Sequence, residues 1–205
     1  MEEEEALTPL KQGLPVIRAE GGNESERYLK RLCEHSFLSL WSYPCTYRNE
    51  RLLKPDGKKN EICDLLVVFG NHILIFQDKD IILKNTGDLE TDWKRWYRKA
   101  VQDGAKQIWG AEHWLKQHPD NIFLDKDCTQ PFPISLPDPV TAQYHRIIVA
   151  HGASERCKQH FGGSGSLIIV GDLLGSTHAD AIVGEKPFAI GQINPTKGFV
   201  HIFDD

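Results

Sequence analysis

The sequence predicts an α/β layer structure built on a mixed β-sheet flanked by helices. Helical and strand periodicities alternate along most of the chain, which is the pattern of helices packed on a sheet. A two-residue turn signal joins two of the strands, so at least one connection is an antiparallel hairpin. At 205 residues with 40% apolar side chains, the chain can bury one good core and is shorter than chains whose cores usually split.

The acidic leader, residues 1 to 20, has no periodic apolar positions and is expected to be disordered. Residues 21 to 205 are expected to form a single domain. Helical spacing begins after "GGNESE", where Asn23 and Glu26 have the separation of a capping box. Leu29, Leu32, Cys33, Ser36, Phe37 and Leu40 then mark one face of an amphipathic helix that closes before Pro44. Two β-rich runs follow, 62 to 69 and 72 to 79, around Gly70 and Asn71. Trp93, Trp96, Tyr97, Ala100, Val101, Gly104, Ile108, Ala111 and Leu115 outline the buried face of a long helix. Residues 125 to 139 hold four prolines and read as loop. The remainder predicts a strand at "YHRIIVA", a helix at "SERCKQHF", a strand at "SLIIVG", and a closing pair of strands at "FAIGQI" and "FVHIF" around "NPTKG".

The net charge is -5, and the four glutamates at positions 2 to 5 carry most of it, so the body of the protein is nearly neutral. That balance neither favours nor excludes a nucleic-acid partner. The five cysteines are scattered and form no CxxC, which argues against a disulfide scaffold or zinc knuckle and for reduced thiols in a cytoplasmic setting. No apolar run approaches the roughly 20 residues of a bilayer span, and no membrane partner is expected.

The run "LLVVFGNHILIFQDKD" ends its second strand in polar groups whose burial would be costly without a compensating role. With Gly70 and Asn71 as the loop, Phe69 faces His72, Leu66 faces Ile75 and Asp64 faces Gln77. Residues directly opposite in such a ladder have Cβ atoms about 4.5–5.5 Å apart. Alternation then places Asp64, Gln77 and Lys79 on one face at one rim, and Asp78 on the other. A carboxylate, an amide oxygen and an ammonium suit a hard cation. Mg²⁺ takes oxygen ligands and keeps waters, with Mn²⁺ able to substitute. Asp64 is the expected anionic ligand, Gln77 and the backbone carbonyl of Asp78 the neutral ones, and Lys79 the group that holds or deprotonates water or stabilises developing charge. Glu26 faces the same way from the first helix, as metal ligand or as helix cap. A structural salt bridge is the alternative for Asp64 and Lys79. Glu61 is a solvated residue or an outer member of the metal shell.

An Asp, a hairpin of about a dozen residues and then Gln77-x-Lys79 resembles the PD-(D/E)xK nuclease superfamily over roughly residues 20 to 170. Asp64 matches the first acid of that pattern, Gln77 its (D/E/Q) position, Lys79 its lysine, and Glu26 the first-helix acid. Cys63 stands where proline is usual, and Gln77 resembles the QxK variant of some restriction enzymes. The resemblance implies a restriction-endonuclease-like fold with an αβββαβ core, and a Mg²⁺-dependent nuclease, most often acting on DNA, in a restriction or antiviral defence setting. The alternative is a catalytically weakened nuclease-like fold serving as a nucleic-acid-binding or partner-binding module.

Five cations of the long helix, Lys94, Arg95, Arg98, Lys99 and Lys106, face only Asp103 as an opposing charge in "WKRWYRKAVQDGAK". They are candidates for phosphate contacts, Lys99 and Lys106 above the rest, or else form the solvated face of the helix. Asp78 and Asp80 are expected to meet helix or solvent, and Asp125 and Asp127 to be loop polarity. "GGSG" at 162 to 165 lacks a P-loop lysine, and "HGASER" lacks the second glycine of a nucleophile elbow. His145, His151, His160 and His178 show no metal-ligand spacing. Trp109 and Trp114 are expected in the core or at an interface. The nuclease resemblance implies a homodimer as one partner arrangement; the chain also stops directly after a strand, so a second component or a longer protein is the other expectation.

Overall fold

The computed structural model describes residues 22–37, 41–178 and 187–204. The acidic leader and Leu40 lie outside the described residues. Helix α1 (Glu24–Phe37) is followed by β1 (Ser42–Asn49), β2 (Lys59–Phe69) and β3 (His72–Asp80). Helix α2 (Leu89–Trp96) continues through a π-helical turn at Tyr97–Gln102 into α3 (Asp103–Gln117). Then come β4 (Gln143–His151), α4 (Ser154–Phe161), β5 (Ile168–Leu174), β6 (Ala189–Gln192) and β7 (Val200–Asp204). Five strands form one mixed sheet in the order β1-β2-β3-β4-β7, and β5 and β6 form a separate two-stranded sheet. The described residues divide into two compact units, one within Met1–Phe76 and Gly110–His145, the other within Gln77–Trp109 and Arg146–Asp205.

In the first unit the capping box closes as predicted. The Glu26 amide donates to Asn23 Oδ1 at 2.8 Å, and Asn23 Nδ2 donates back to Glu26 Oε1 at 2.8 Å. Leu29 and Cys33 are buried, whereas Leu32 is half exposed, so the apolar stripe of α1 is narrower than its spacing predicts. The hairpin register is the predicted one, from Phe69↔His72 to Leu65↔Phe76. Gly70 supplies the left-handed turn with φ 54°. Leu65, Leu66, Val67 and Val68 are all buried, as an interior strand covered on both faces requires.

Strand β1 is not anticipated by the periodicity, because Pro44 argues against a strand. It pairs antiparallel with β2, Pro44 opposite Leu65, at the edge of the sheet. An edge is where a residue lacking an amide proton is tolerated. The register shifts between Thr46 and Tyr47, and Cys45 beside this bulge has φ 50°.

The second unit is built around aromatic rings. Trp93 is fully buried, stacked on Trp96 at 5.1 Å and packed against Phe188 at 5.2 Å. Every position assigned to the buried face of the long helix is buried, but the helix carries the π turn in place of one uniform α-helix. The predicted closing pair is corrected. Strand β6 pairs parallel with β5, and β7 pairs parallel with β4. Asn194 turns the chain between β6 and β7, its carbonyl accepting from the Lys197 amide and its side chain from Thr196, and the two strands go to different sheets.

Gly152 sits where β4 ends, with φ 81°, and a Cβ there would lie 2.6 Å from the Ile81 carbonyl oxygen and 2.8 Å from Ile82 Cα. Both the conformation and the close approach require glycine. Gly152→Ala is expected to destabilise by about 1–3 kcal/mol from the backbone conformation alone, with the clash adding to it. A urea unfolding curve indistinguishable from wild type would contradict this placement.

His178 is buried and lies flat on Tyr97, ring centres 5.1 Å apart. Its Nε2 accepts from the Gly191 amide at 2.8 Å, so Nδ1 carries the proton and donates to the Gly175 carbonyl at 3.0 Å. Burial pushes its pKa below the ordinary value despite the Gly175 bond. Since the folded pKa is depressed, the unfolded chain takes up a proton first, and stability is lost as pH falls below the ordinary histidine value of about 6.5. The drop in urea midpoint between pH 7.5 and 5.5 is expected to shrink in His178→Phe; an equal drop in both proteins would remove this histidine from the account.

Candidate functional site

Strand β2 brings two carboxylates toward the bulge of β1. Glu61 pairs with Tyr47 across the ladder, and Asp64 follows on the same strand, half-buried. Burial first, and then the charges of Glu61, Glu26 and Asp64, raise the Cys45 thiol to about 12. The Tyr47 phenol is likewise raised to about 12, by burial first and then by Glu61, Cys45 and Glu26. The acid of the first helix and the two acids of β2 thus all act on the Cys45 thiol.

Glu26 is also the helix cap. Its Oε2 accepts from the Gly22 amide at 2.5 Å while Oε1 accepts from Asn23. Both carboxylate oxygens serve the N-terminus of α1, so the cap is the better-supported of its two roles.

Gln77, Asp78 and Lys79 lie on β3 and belong to the second unit. Gln77 and Asp78 are buried and Lys79 is half-buried. The Asp78 side chain is not turned to solvent. Its Oδ1 meets His151 Nε2 at 2.9 Å, at the end of β4. Only the pairing of strands distant in sequence could make that contact, and spacing-based reasoning sets His151 aside. Lys79 is positioned by a glycine. A Cβ at Gly104 would stand 3.0 Å from Ile148 Cδ1 and 3.4 Å from Lys79 Cε, so the bare backbone of α3 admits the lysine stem.

The basic helix separates into two groups. Lys94 pairs with Glu90 and Lys106 with Asp103, both one turn away on their own helix, so these two form part of a solvated face. Lys106, expected as a leading phosphate contact, is exposed and has Asp103 as its neighbour. Arg95, Arg98 and Lys99 instead line a cavity of about 300 Å³ with Lys84, Asp92, Trp96, Ile81 and Ile82. Lys84 carried no signal in the sequence that could have identified it. Asp125 holds its own loop, accepting from the amides of Thr129 and Gln130. Trp114 is buried, its indole N–H donating to the Asn121 carbonyl, and the Trp109 indole donates to Gly198, so both face protein.

Among the described residues no group of three or more His, Cys, Asp and Glu side chains is arranged to hold a metal ion. Four cysteines are buried and Cys128 is half-buried, and all five are free thiols. No described helix is long and apolar enough to cross a membrane. Comparison with protein-family models, curated proteins and solved structures returns no match.

Proposed function

We propose that this chain is a metal-dependent nuclease with a restriction-endonuclease-like fold, hydrolysing phosphodiester bonds of nucleic acid, with DNA the expected substrate. The observation that carries the proposal is the hairpin. Its register runs unbroken from the turn to Leu65↔Phe76, and the next residues outward are Asp64 on one strand and Gln77, Asp78 and Lys79 on the other. The order α1-β1-β2-β3-α2-β4 agrees with an αβββαβ core.

The donors suit a hard cation chemically. Asp64 and Glu61 offer carboxylate oxygens near Cys45 and Tyr47, two groups kept in their neutral forms. Asp64 would be the direct ligand, Gln77 and the Asp78 carbonyl the neutral ligands expected from continuing the hairpin register, and Glu26, spent on its cap, would act through water. Bound Mg²⁺ or Mn²⁺ supplies Lewis acidity and lowers the pKa of a coordinated water. Lys79 would hold that water or donate to oxygens that gain charge as the bond breaks.

A second function is favoured by a specific observation. No three-residue metal cluster occurs among the described residues, and Glu26 is committed to capping. A nuclease-like fold that binds nucleic acid or a protein partner without cutting agrees with both. Incubation of plasmid DNA and RNA with Mg²⁺ or Mn²⁺ decides between them, wild type against Asp64→Ala and Lys79→Ala. Cleavage dependent on both residues supports the enzyme. No cleavage under any condition, or cleavage indifferent to both changes, removes it.

A further inference from the structure

We infer that the cavity on α2 and the π turn is a phosphomonoester site, shaped for the terminal nucleotide of a nucleic-acid strand or for a free nucleotide. Its lining includes four cations, Lys84, Arg95, Arg98 and Lys99, against the single carboxylate of Asp92. That carboxylate is already matched. It accepts from the Thr86 amide at 2.8 Å, the Thr86 hydroxyl at 2.9 Å and Arg156 Nη1 at 3.3 Å. The Thr86 amide is the first cause holding its pKa below the ordinary carboxylate value, with the Thr86 hydroxyl and Arg156 acting in the same direction. Arg95, Arg98 and Lys99 form no ion pair among the described residues, in contrast to Lys94 and Lys106 on the same helical run. Cations gathered without an internal counterion leave an excess of positive charge in a concave space, where an anion is attracted more strongly than on a flat surface.

The geometry selects among anions. Two guanidinium forks and two ammonium groups match a phosphomonoester, which carries a charge between -1.5 and -2 near neutral pH and presents three acceptor oxygens. A backbone phosphodiester carries only one charge and must continue on both sides. A volume near 300 Å³ stands at the lower end of small-molecule sites and suits one nucleotide. Trp96, Ile81 and Ile82 supply an apolar wall for sugar or base. The indole is fixed there, its N–H donating to the Ile81 carbonyl at 2.7 Å and the His151 carbonyl at 3.1 Å. Arg98 and Lys99 belong to the π turn, a helical irregularity often found at functional sites.

A strand end as the source rests on the nucleic-acid function proposed above; the preference for a phosphomonoester does not. The test is binding of fluorescent single-stranded oligonucleotides carrying a 5′-phosphate, a 3′-phosphate or neither, to the wild-type chain in EDTA, with inorganic phosphate and a mononucleotide as competitors. Because EDTA suppresses metal-dependent cutting, failure here is distinct from failure of the nuclease proposal. A phosphorylated end is expected to bind about tenfold or more tightly, as charge-assisted hydrogen bonds imply, and Arg98→Gln with Lys99→Gln to abolish the difference. Displacement by the mononucleotide without preference among oligonucleotides supports the site with a free nucleotide as occupant. Absence of both effects overturns the inference, as does a preference that survives the double variant or is lost equally in Lys54→Gln, an exposed lysine paired with Glu50 and absent from the cavity lining.

Discussion

Asp64→Ala is expected to lower metal-dependent cleavage by at least about a hundredfold, while the chain stays folded. The Lewis acidity of a bound cation contributes several kcal/mol to such a reaction, and each 1.36 kcal/mol is a factor of ten. Lys79→Ala is expected to cost a similar factor, the usual loss on removing one donor to developing charge. Asp64 is half-buried, so thermal unfolding of Asp64→Ala beside wild type separates loss of catalysis from loss of fold. Gln77→Glu sharpens the contrast between cutting and binding alone. Gln77 is 7% exposed, so a carboxylate there is costly without a cation. In the nuclease, Mg²⁺ raises the melting temperature of Gln77→Glu more than that of wild type, through preferential binding to the folded state. An identical response of the two proteins to Mg²⁺ would place the cation elsewhere or nowhere.

Trp93→Ala is expected to destabilise by about 3–5 kcal/mol, the usual cost of deleting a large buried aromatic. Trp93 is fully buried among Trp96, Tyr97 and Phe188, so truncation leaves a cavity between rings rather than an open surface. Against a total stability of roughly 5–15 kcal/mol, that loss leaves a marginal fold. Trp93→Phe is expected to cost much less. The Trp93 indole N–H is buried with no acceptor among the described residues, so the ring is held by packing rather than by its polar group. Chemical denaturation of both variants distinguishes these outcomes, and equal losses would mean that the indole N–H has a partner in solution.

The parts of the fold legible in the sequence are those governed by near neighbours. The capping box needs only Asn23 and Glu26, three residues apart. The hairpin needs Gly70, Asn71 and a period of two, and its observed pairs follow at once. The buried face of the long helix follows from aromatic spacing. Where a second, distant element intervened, spacing alone misled. Pro44 argues against a strand until β1 is known to be an edge, and sheet order is a property of the whole chain. Strands β6 and β7 look like a hairpin because they adjoin in sequence, but each finds its partner further back, in β5 and β4.

The candidate sites divide in the same way. Residue types and register nominated Asp64, Gln77 and Lys79, since a strand's alternation decides which side chains share a face. The partner of Asp78 could not be read, because His151 is 73 positions away and reaches it through the end of another strand. Nor could the sorting of the basic helix. Lys94 and Lys106 pair within their own turns, whereas Arg95, Arg98 and Lys99 share a cavity with Lys84 from the segment after β3. By itself, the sequence determined which residues can be helix, strand and turn, because those choices are local and periodic. Only the tertiary structure decided which charges are neutralised and which are left facing a cavity, because burial and pairing depend on contacts between segments far apart in the chain.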